Sequence, residues 1–408
     1  MGETGKDVAA LRALARRYVE IAHDPVQDRR RELWRRLNSL EPVRPLVVLR
    51  GGVCWNEVPE IAPARCADEF FRPIERQLRL GIFHDTLGDD VIVEPWLTVG
   101  AVHTCTGWGP SRRRRHARTP GGSWKDDYPL KELADVSMLR TPRHEIDEPA
   151  TAEVFERLSD ALGDIVPIHV DRGPAYRVWS GDLSTDLGRL RGIEHFMLDM
   201  MDHPRWLGEL VGFMRDGVLA THAQAEAAGD WSLAEHENQA MCYCRELADP
   251  DPTVRGVRRK QLWCFMAAQE FELVSPAMHE AFLLQYQRPI LEQFGLVAYG
   301  CCENLTRKID MLRTIPNLRR IAVAPRADVA ACAEQIGRDY VISYRPNPAE
   351  MVCCGFDAEN VRRILRRDLA ACRGLAVEIT LKDVHTVQNA PQRLGEWVRI
   401  AREVAESL

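Results

Sequence analysis

Short apolar runs alternate with amphipathic helical segments along this chain, most regularly in its second half. Apolar runs of strand length stand at 45–49, 91–99, 165–170, 261–266, 296–299, 319–323, 340–344 and 375–380. Helical spacing of apolar residues fills 276–293, 304–314, 327–337, 357–372 and 390–406. Strands that are apolar throughout are typical of a parallel sheet covered on both faces. Eight such strands predict an α/β fold, a (β/α)8 TIM barrel.

Two helices are predicted before the first strand. The first keeps helical spacing at Val8, Leu11, Leu14, Tyr18 and Ile21, and the second is an arginine-rich segment at 29–40. We therefore expect an N-terminal helical extension at 1–44 and a barrel catalytic domain at 45–408. A doubly wound open sheet is the alternative, but no Gly-x-Gly-x-x-Gly follows the first strand and no Walker-type Gly-Lys-Ser/Thr occurs.

The amino-acid composition limits the kinds of molecule that the protein is expected to bind. The chain has 408 residues, and its 60 acidic and 54 basic side chains give a net charge of -6, which disfavours a nucleic-acid-binding protein. No apolar run reaches the roughly 20 residues that cross a bilayer, and the first residues lack the layout of a signal peptide. We expect a cytoplasmic protein that acts on a small molecule. Twelve cysteines are too sparse for a disulfide scaffold, so most are expected to be buried thiols.

The segment 299–304, Tyr-Gly-Cys-Cys-Glu-Asn, is the strongest candidate for chemistry. It joins a predicted strand to a predicted helix, and the loops at the carboxyl ends of strands carry the active sites of barrels. Two thiols beside a carboxylate indicate a metal site. Polar side chains also follow three other strands, at Glu270, Asn347, Lys382 and His385.

Catalytic zinc uses about three protein ligands and keeps one position open. The expected ligands are Cys301 or Cys302, His385, and either Glu270 or Glu303. Glu270 is alternatively a general acid, and Lys382 is expected to act in catalysis beside the ligand loops. Expected substrate contacts are Trp55, Asn56, Tyr299, Asn304 and Asn347. The plain alternatives are that the adjacent cysteines fill apolar space and that the histidine is an ordinary loop residue.

Two further motifs are weaker candidates. His103-Thr104-Cys105 has the spacing of metal ligands, but no second half of a site accompanies it. A basic run at 112–115 lies in a polar and glycine-rich stretch, 107–125, and favours a solvated or partner-contacting loop.

Several segments together resemble the uroporphyrinogen decarboxylase superfamily. They are Leu-Val-Ser-Pro at 273–276, Tyr-Gln-Arg-Pro-Ile at 286–290, Phe-Gly-Leu at 294–296, the cysteine turn, Leu-Arg-Gly-Ile-Glu at 190–194 and Asp-His-Pro at 202–204. The resemblance covers residues 150–408 and implies a (β/α)8 barrel. Decarboxylases of this superfamily carry an early Arg-Gln-Ala-Gly-Arg-Tyr motif, whereas Arg-Gly-Gly-Val-Cys-Trp stands here at 50–55.

The cysteine turn, with the segments 315–319, 345–348 and 381–386, looks like the branch of zinc-dependent methyltransferases that work with corrinoid proteins. Those enzymes carry His-x-Cys at the matching turn and a further cysteine near the last strand. Here Tyr299 or Gly300 stands at the histidine position, and His385 lies near the place of the second cysteine.

The resemblance implies O-demethylation or a related transfer, from a small methoxylated or methylated compound to a separate corrinoid protein, with Zn²⁺ as cofactor. A cobalamin-binding Asp-x-His-x-x-Gly motif is absent from the sequence, so the corrinoid would arrive on the partner. The alternatives are a lyase whose carboxylated substrate pairs with Arg50, Arg345 or Lys382, and a regulatory protein without catalysis.

Overall fold

The structure, a computed structural model, describes residues 3–110, 113–116 and 123–408. These residues form ten strands and thirteen α-helices. The strands are β1 (Leu46–Gly51), β2 (Leu97–Gly100), β3 (Arg113–His116), β4 (Trp124–Asp127), β5 (Ile168–Asp171), β6 (Trp263–Met266), β7 (Leu296–Tyr299), β8 (Leu318–Val323), β9 (Val341–Tyr344) and β10 (Val377–Lys382). The helices are α1 (Glu3–Ala22), α2 (Pro25–Asn38), α3 (Arg72–Leu87), α4 (Glu148–Leu162), α5 (Ser184–Leu190), α6 (Ile193–Asp202), α7 (Pro204–Ala228), α8 (Pro276–His279), α9 (Gln285–Leu291), α10 (Ile309–Leu312), α11 (Val329–Ile336), α12 (Ala358–Ala370) and α13 (Gln392–Glu406).

Six of the strands form one curled parallel sheet in the order β1, β10, β9, β8, β7, β6. The first strand therefore pairs with the last, with Leu46 opposite Glu378. β2 and β5 form a separate parallel pair, with Leu97 opposite Ile168. Each of the eight predicted apolar runs has a counterpart among these strands, because strands covered on both faces need apolar residues throughout. The predicted α/β class is confirmed.

The closed barrel is not confirmed, because no ladder joins the β2–β5 pair to the sheet within the described residues. Side chains cover the second edge of β1: Asp90 accepts the Val47 N–H at 2.8 Å, and Asp89 accepts the N–H two residues further along at 3.1 Å. The second edge of β6 is covered similarly, since Trp263 donates its N–H to His236 Nδ1 at 3.2 Å. Buried edge amides need partners, and here side chains satisfy them in place of a neighbouring strand.

Two strands that the sequence did not predict lie in the polar stretch 107–125 and at its end. β3 and β4 are antiparallel, with Arg113 opposite Asp127, and the Arg114 guanidinium lies 4.9 Å from the centre of the Trp124 ring. β3 is exposed along its length, so no apolar run marks it. Arg112, the first residue of the basic run, lies outside the described residues.

The two helices predicted before the first strand are present as α1 and α2. Leu11, Ala15 and Tyr18 of α1 are buried in a core shared with α3 and α4. Asp24 caps α2, because its side chain accepts the Val26 N–H at 2.8 Å. The domain boundary at residue 44 stays a prediction. None of the helices in the described parts of the chain combines the length and apolar character that a bilayer span requires.

A buried ion pair connects strands of the sheet that are not neighbours. Arg320 of β8 pairs with Glu378 of β10, and their side chains are 2% and 1% exposed. Glu378 also accepts a hydrogen bond from Ser343 of β9 at 3.3 Å, and Arg320 donates to Asn38 Oδ1 at the end of α2 at 2.6 Å. Buried charges are tolerated only when they are paired, so this network joins α2 to three strands.

We expect the Glu378→Leu variant to lose about 3–5 kcal/mol of unfolding free energy, because it leaves the Arg320 charge buried without its partner. The double variant Arg320→Met/Glu378→Leu should lose less than the single variant, since it removes both charges. Urea denaturation measures these differences. Glu403→Gln, which breaks an exposed pair with Arg399, is the control and should change little. A Glu378→Leu variant as stable as this control would show that the buried pair does not hold the sheet.

Candidate functional site

A sharp turn at Gly300 positions the candidate site at the carboxyl end of β7. Gly300 has a φ of 97°, and a Cβ there would lie 2.5 Å from Leu305 Cδ1, so glycine is required. The Glu303 carboxylate then accepts the backbone N–H of Cys301 at 2.8 Å and that of Ala268 at 2.9 Å. Glu303 is 1% exposed, and burial raises its pKa. Its carboxylate thus fastens the turn to the loop after β6.

Two thiols and a lysine meet beside this turn. Cys301 Sγ lies 3.6 Å from Cys302 Sγ. Lys382, the last residue of β10, places Nζ 2.9 Å from Cys301 Sγ and 3.3 Å from Cys302 Sγ. The same Nζ lies 2.9 Å from Oδ2 of Asp383. We call these four residues the thiol–lysine cluster; Cys301 is buried in it, whereas Cys302 and Asp383 are exposed.

The cluster stabilises a thiolate on Cys301. The hydrogen bond from Cys302, helped by the charges of Arg345 and Lys382, outweighs burial and lowers the pKa of Cys301 to about 5. The same hydrogen bond, with burial, raises the pKa of Cys302, which stays protonated and donates. Burial lowers the pKa of Lys382, but the two sulfurs raise it by more, so its net shift is upward. At neutral pH a buried thiolate is therefore held by an ammonium group and a thiol.

Two arginines adjoin the cluster. Arg345, which follows β9, donates from Nη1 to the carbonyl oxygen of Cys301 at 2.5 Å and is 3% exposed. Arg50 of β1 is near enough to interact with both: burial and Arg345 lower its pKa, while Cys301 raises it. Arg50 also donates to the carbonyl oxygen of Gln239 at 2.9 Å. The surroundings of the thiolate are therefore strongly cationic.

The predicted zinc ligands do not converge. Glu303 is engaged by backbone amides, Glu270 accepts a hydrogen bond from Ser184 Oγ at 2.5 Å, and His385 is exposed. Among the described residues, no group of three or more His, Cys, Asp and Glu side chains is arranged to hold a metal ion. Lys382 Nζ lies where a cation between the two sulfurs would bind. As the residues are placed, the donor set does not fit zinc.

The residues predicted to contact substrate lie in different environments. Trp55 and Tyr299 are buried, Asn56 is exposed, and Asn304 and Asn347 accept hydrogen bonds from backbone amides of their own loops. None of these five residues lines the cavity that adjoins the cluster. Their part in substrate binding stays a prediction, as does a catalytic role for Glu270.

A cavity of about 510 Å³ opens between the sheet and the β2–β5 pair. Its wall includes Arg50 of β1, Gly100 at the end of β2, Asp171 at the end of β5, and the segment 234–239. Ligands in α/β folds bind at the carboxyl ends of strands, and the volume suits a small molecule. Because Arg50 borders both the cavity and the thiol–lysine cluster, the two features adjoin.

The polar segment 235–239, Glu-His-Glu-Asn-Gln, was not among the predicted site residues. It precedes β6 without the spacing of a helix or a strand, and its run of polar residues was the one signal available. His103, a weak candidate from the sequence, also lines the cavity, whereas Cys105 does not.

Known proteins resemble this chain in fold rather than in sequence. A methyltransferase from Methanosarcina mazei has a similar structure, with a TM-score of 0.54 over 92% of this chain and 97% of the other. The two sequences are 13% identical, so the likeness shows a shared fold. No family model and no curated protein matches the sequence.

We expect Cys301 to titrate near pH 5, and the Lys382→Met variant to raise its pKa toward the ordinary thiol value of about 8.5, because the neighbouring ammonium is lost. The ultraviolet absorbance of the thiolate measures this change, after subtraction of the curve of Cys301→Ser. Lys131→Met, at an exposed pair with Asp127, is the control.

The lowered pKa also links this ionisation to stability. Stability relative to Cys301→Ser should be greatest above about pH 8.5, where the unfolded thiol also ionises, and should fall as the pH drops to about 5. Identical titration curves for wild type and Lys382→Met would show that the ammonium group does not lower the pKa of Cys301, and identical curves for wild type and Cys301→Ser would contradict the assignment of the thiolate to Cys301.

Proposed function

We propose that this chain is a methyltransferase that moves a methyl group from a small methoxylated or methylated compound to a separate corrinoid protein. The observation that carries the proposal is the placement of Lys382 Nζ 2.9 Å from Cys301 Sγ at the carboxyl edge of the sheet. The fold shared with a methyltransferase supports it, and so does the resemblance of the turn at 299–304.

Removal of a methyl group from an ether needs help at the oxygen, because an alkoxide is a poor leaving group. We place the departing oxygen beside Lys382 Nζ. As the carbon–oxygen bond breaks, its electron pair stays on oxygen, which takes a proton from the ammonium group. The acceptor contributes the electron pair of the new bond to carbon. Cys301 and Asp383 hold Nζ in place, so Lys382 supplies the electrophilic assistance that zinc would otherwise give.

The corrinoid, when its protein is bound, supplies the nucleophile that accepts the methyl group. The contribution of this chain is to leave the thiol–lysine cluster accessible to the corrinoid protein. Cys302 and Asp383 are exposed beside the buried thiolate, so the cluster is open to a second protein.

Zinc stays a prediction from the sequence. The two sulfurs are 3.6 Å apart, a spacing that suits two ligands of one tetrahedral ion with bonds of about 2.3 Å. The cluster offers Asp383 as a further donor, with Oδ2 3.6 Å from Cys302 Sγ, but this carboxylate pairs with Lys382, whose Nζ occupies the place between the sulfurs. No step assigned to the residues of this chain therefore depends on zinc.

We expect the Lys382→Met variant to form demethylated product about 10²–10⁴-fold more slowly than wild type, because it cannot protonate the leaving oxygen. Lys382→Arg should also be slow, since a guanidinium keeps the charge but hardly releases a proton. Chromatography of the catechol formed from 2-methoxyphenol, with reduced cobalamin or a corrinoid protein as acceptor, measures the rate. Lys131→Met is the control. Wild-type activity in Lys382→Met would remove the lysine from the mechanism, and wild-type protein inactive with every donor tried would remove the proposed function.

We expect protein purified in the presence of zinc and then dialysed to hold less than one zinc ion per chain, because the lysine competes for the sulfurs. Plasma mass spectrometry measures the metal, and the double variant Cys301→Ser/Cys302→Ser gives the background. One zinc ion per wild-type chain, lost in the double variant, would instead establish the site that the sequence predicts.

A lyase acting on a carboxylated substrate is the second candidate. Arg50, Arg345 and Lys382 surround the thiolate, and carboxylates pair well with such groups. Release of carbon dioxide from uroporphyrinogen, with no methyl transfer, would favour this alternative.

A further inference from the structure

The cavity beside Arg50 contains charged groups that the proposed methyl transfer does not use. Asp171, Arg177, Glu235 and Glu237 all line it, and they come from the end of β5, the loop after it and the segment 234–239. Two imidazoles, those of His103 and His236, complete the ionisable wall.

One guanidinium serves three carboxylates in this wall. Arg177 Nη2 lies 2.7 Å from Asp171 Oδ2, and its Nε lies 3.3 Å from Glu237 Oε1. Glu235 adds a third negative charge that, with the other two, raises the pKa of Arg177 against the effect of burial. Burial lowers the pKa values of His103 and His236, so neither adds a positive charge at neutral pH. Away from Arg50, acidic groups therefore outnumber basic ones.

Some buried polar atoms in the same wall have no hydrogen-bond partner. Gln239 Oε1 accepts no hydrogen bond from the described residues. The buried Glu237 Oε1 has an ion contact with Arg177 Nε at 3.3 Å but no hydrogen bond from it, because that N–H donates to the carbonyl oxygen of Pro174. Buried acceptors without donors are costly, and a ligand with N–H groups would satisfy them. The wall also holds an unfilled donor, Asn238 Nδ2, which would suit a ligand oxygen.

Burial raises the pKa of Glu237 to about 7: the charge of Arg177 offsets only part of this effect, and the charges of Asp171 and Glu235 add to it. A cation bound beside Glu237 would favour its ionised form. The site thus gains most from a ligand that brings its own positive charge.

The basic and acidic groups of the wall come from different elements. Arg50 of β1 interacts with Cys301 of the thiol–lysine cluster, where the methyl group would leave, whereas the carboxylates of Asp171, Glu235 and Glu237 belong to the end of β5 and the segment 234–239. A substrate that spans the cavity would therefore place its methylated heteroatom near Arg50 and its charged group away from it.

We propose that this cavity binds the methyl donor through a protonated amine, so that the substrate class is a small amine bearing a methyl ether or thioether at its other end. The orientation rests on the proposed methyl transfer, whereas the preference for an amine rests on the cavity wall alone.

Three probes of equal size test the preference: 2-methoxyethylamine, 2-methoxyethanol and methoxyacetate, which are cationic, neutral and anionic at neutral pH. Isothermal titration calorimetry should show the amine binding about tenfold or more tighter than the alcohol, which is the contribution of a hydrogen bond to a charged group. Methoxyacetate should bind most weakly. Equal binding of all three, or tightest binding of methoxyacetate, would overturn the proposal.

Two variants locate the effect. Glu237→Gln should abolish the preference for the amine over the alcohol, and Glu246→Gln, at a pair with Arg319 outside the cavity, is the matched control. Ala175→Trp, which fills part of the wall, should weaken all three probes. Unchanged amine binding in both Glu237→Gln and Ala175→Trp would place the site elsewhere.

Binding and turnover separate this inference from the proposed function. Amine binding without demethylation would preserve the cavity assignment and remove the methyl transfer, whereas demethylation of neutral methoxy compounds without preferred amine binding would do the reverse.

Discussion

The unpaired edges of β1 and β6 are the constraint on which the arrangement of this protein depends. A strand edge presents amides that must find acceptors, and the usual solution in a parallel sheet is another strand. Here Asp89 and Asp90 cover β1, and His236 covers β6. Arg44 in turn holds Asp90 with two hydrogen bonds, at 2.6 and 2.8 Å. The sheet therefore ends at both edges, and the gap toward the β2–β5 pair becomes the cavity.

The same segment that covers β6 also lines that cavity. His236 accepts the Trp263 amide, and its neighbour Glu237 carries a carboxylate into the wall. One short segment thus both satisfies the edge of the sheet and lines the candidate binding cavity. A ladder in place of this contact would have satisfied the amide equally well but would have removed the polar groups that make the cavity selective.

Apolar periodicity located the strands well and the pairing between them less well. The runs ending at Val323 and Tyr344 were predictable, because a strand buried on both faces leaves an unbroken apolar record. The apolar pattern does not show which strands are neighbours in the sheet. In a closed barrel β2 would lie along the edge of β1 that the carboxylates of Asp89 and Asp90 occupy here.

The candidate site was likewise predictable in part: its residues could be located from the sequence, but their spatial arrangement could not. Cys301 and Lys382 were found because each stands at the end of an apolar strand. The spatial relation between them, an ammonium group in the place proposed for a metal, depends on side-chain geometry that spacing does not encode. The segment 235–239 was missed because, apart from Glu235 at the end of a three-residue 3-10 helix, it belongs to neither a helix nor a strand. Arg114 and Trp124 were missed as strand residues because their strands are short and largely polar and contain no apolar run.

The pairing of the first sheet strand with the last has a consequence for synthesis. β1 and β10 are separated by roughly 300 residues, and a ribosome adding about 5–20 residues per second needs between about 15 and 60 seconds to make that stretch. During this time Asp89 and Asp90 are already available to cover one edge of β1, because they follow it closely in the chain. The other edge stays unpaired until β10 has been synthesised. The nascent chain therefore exposes the edge of an apolar strand during most of its translation, and this is the period in which binding of a chaperone would protect it most.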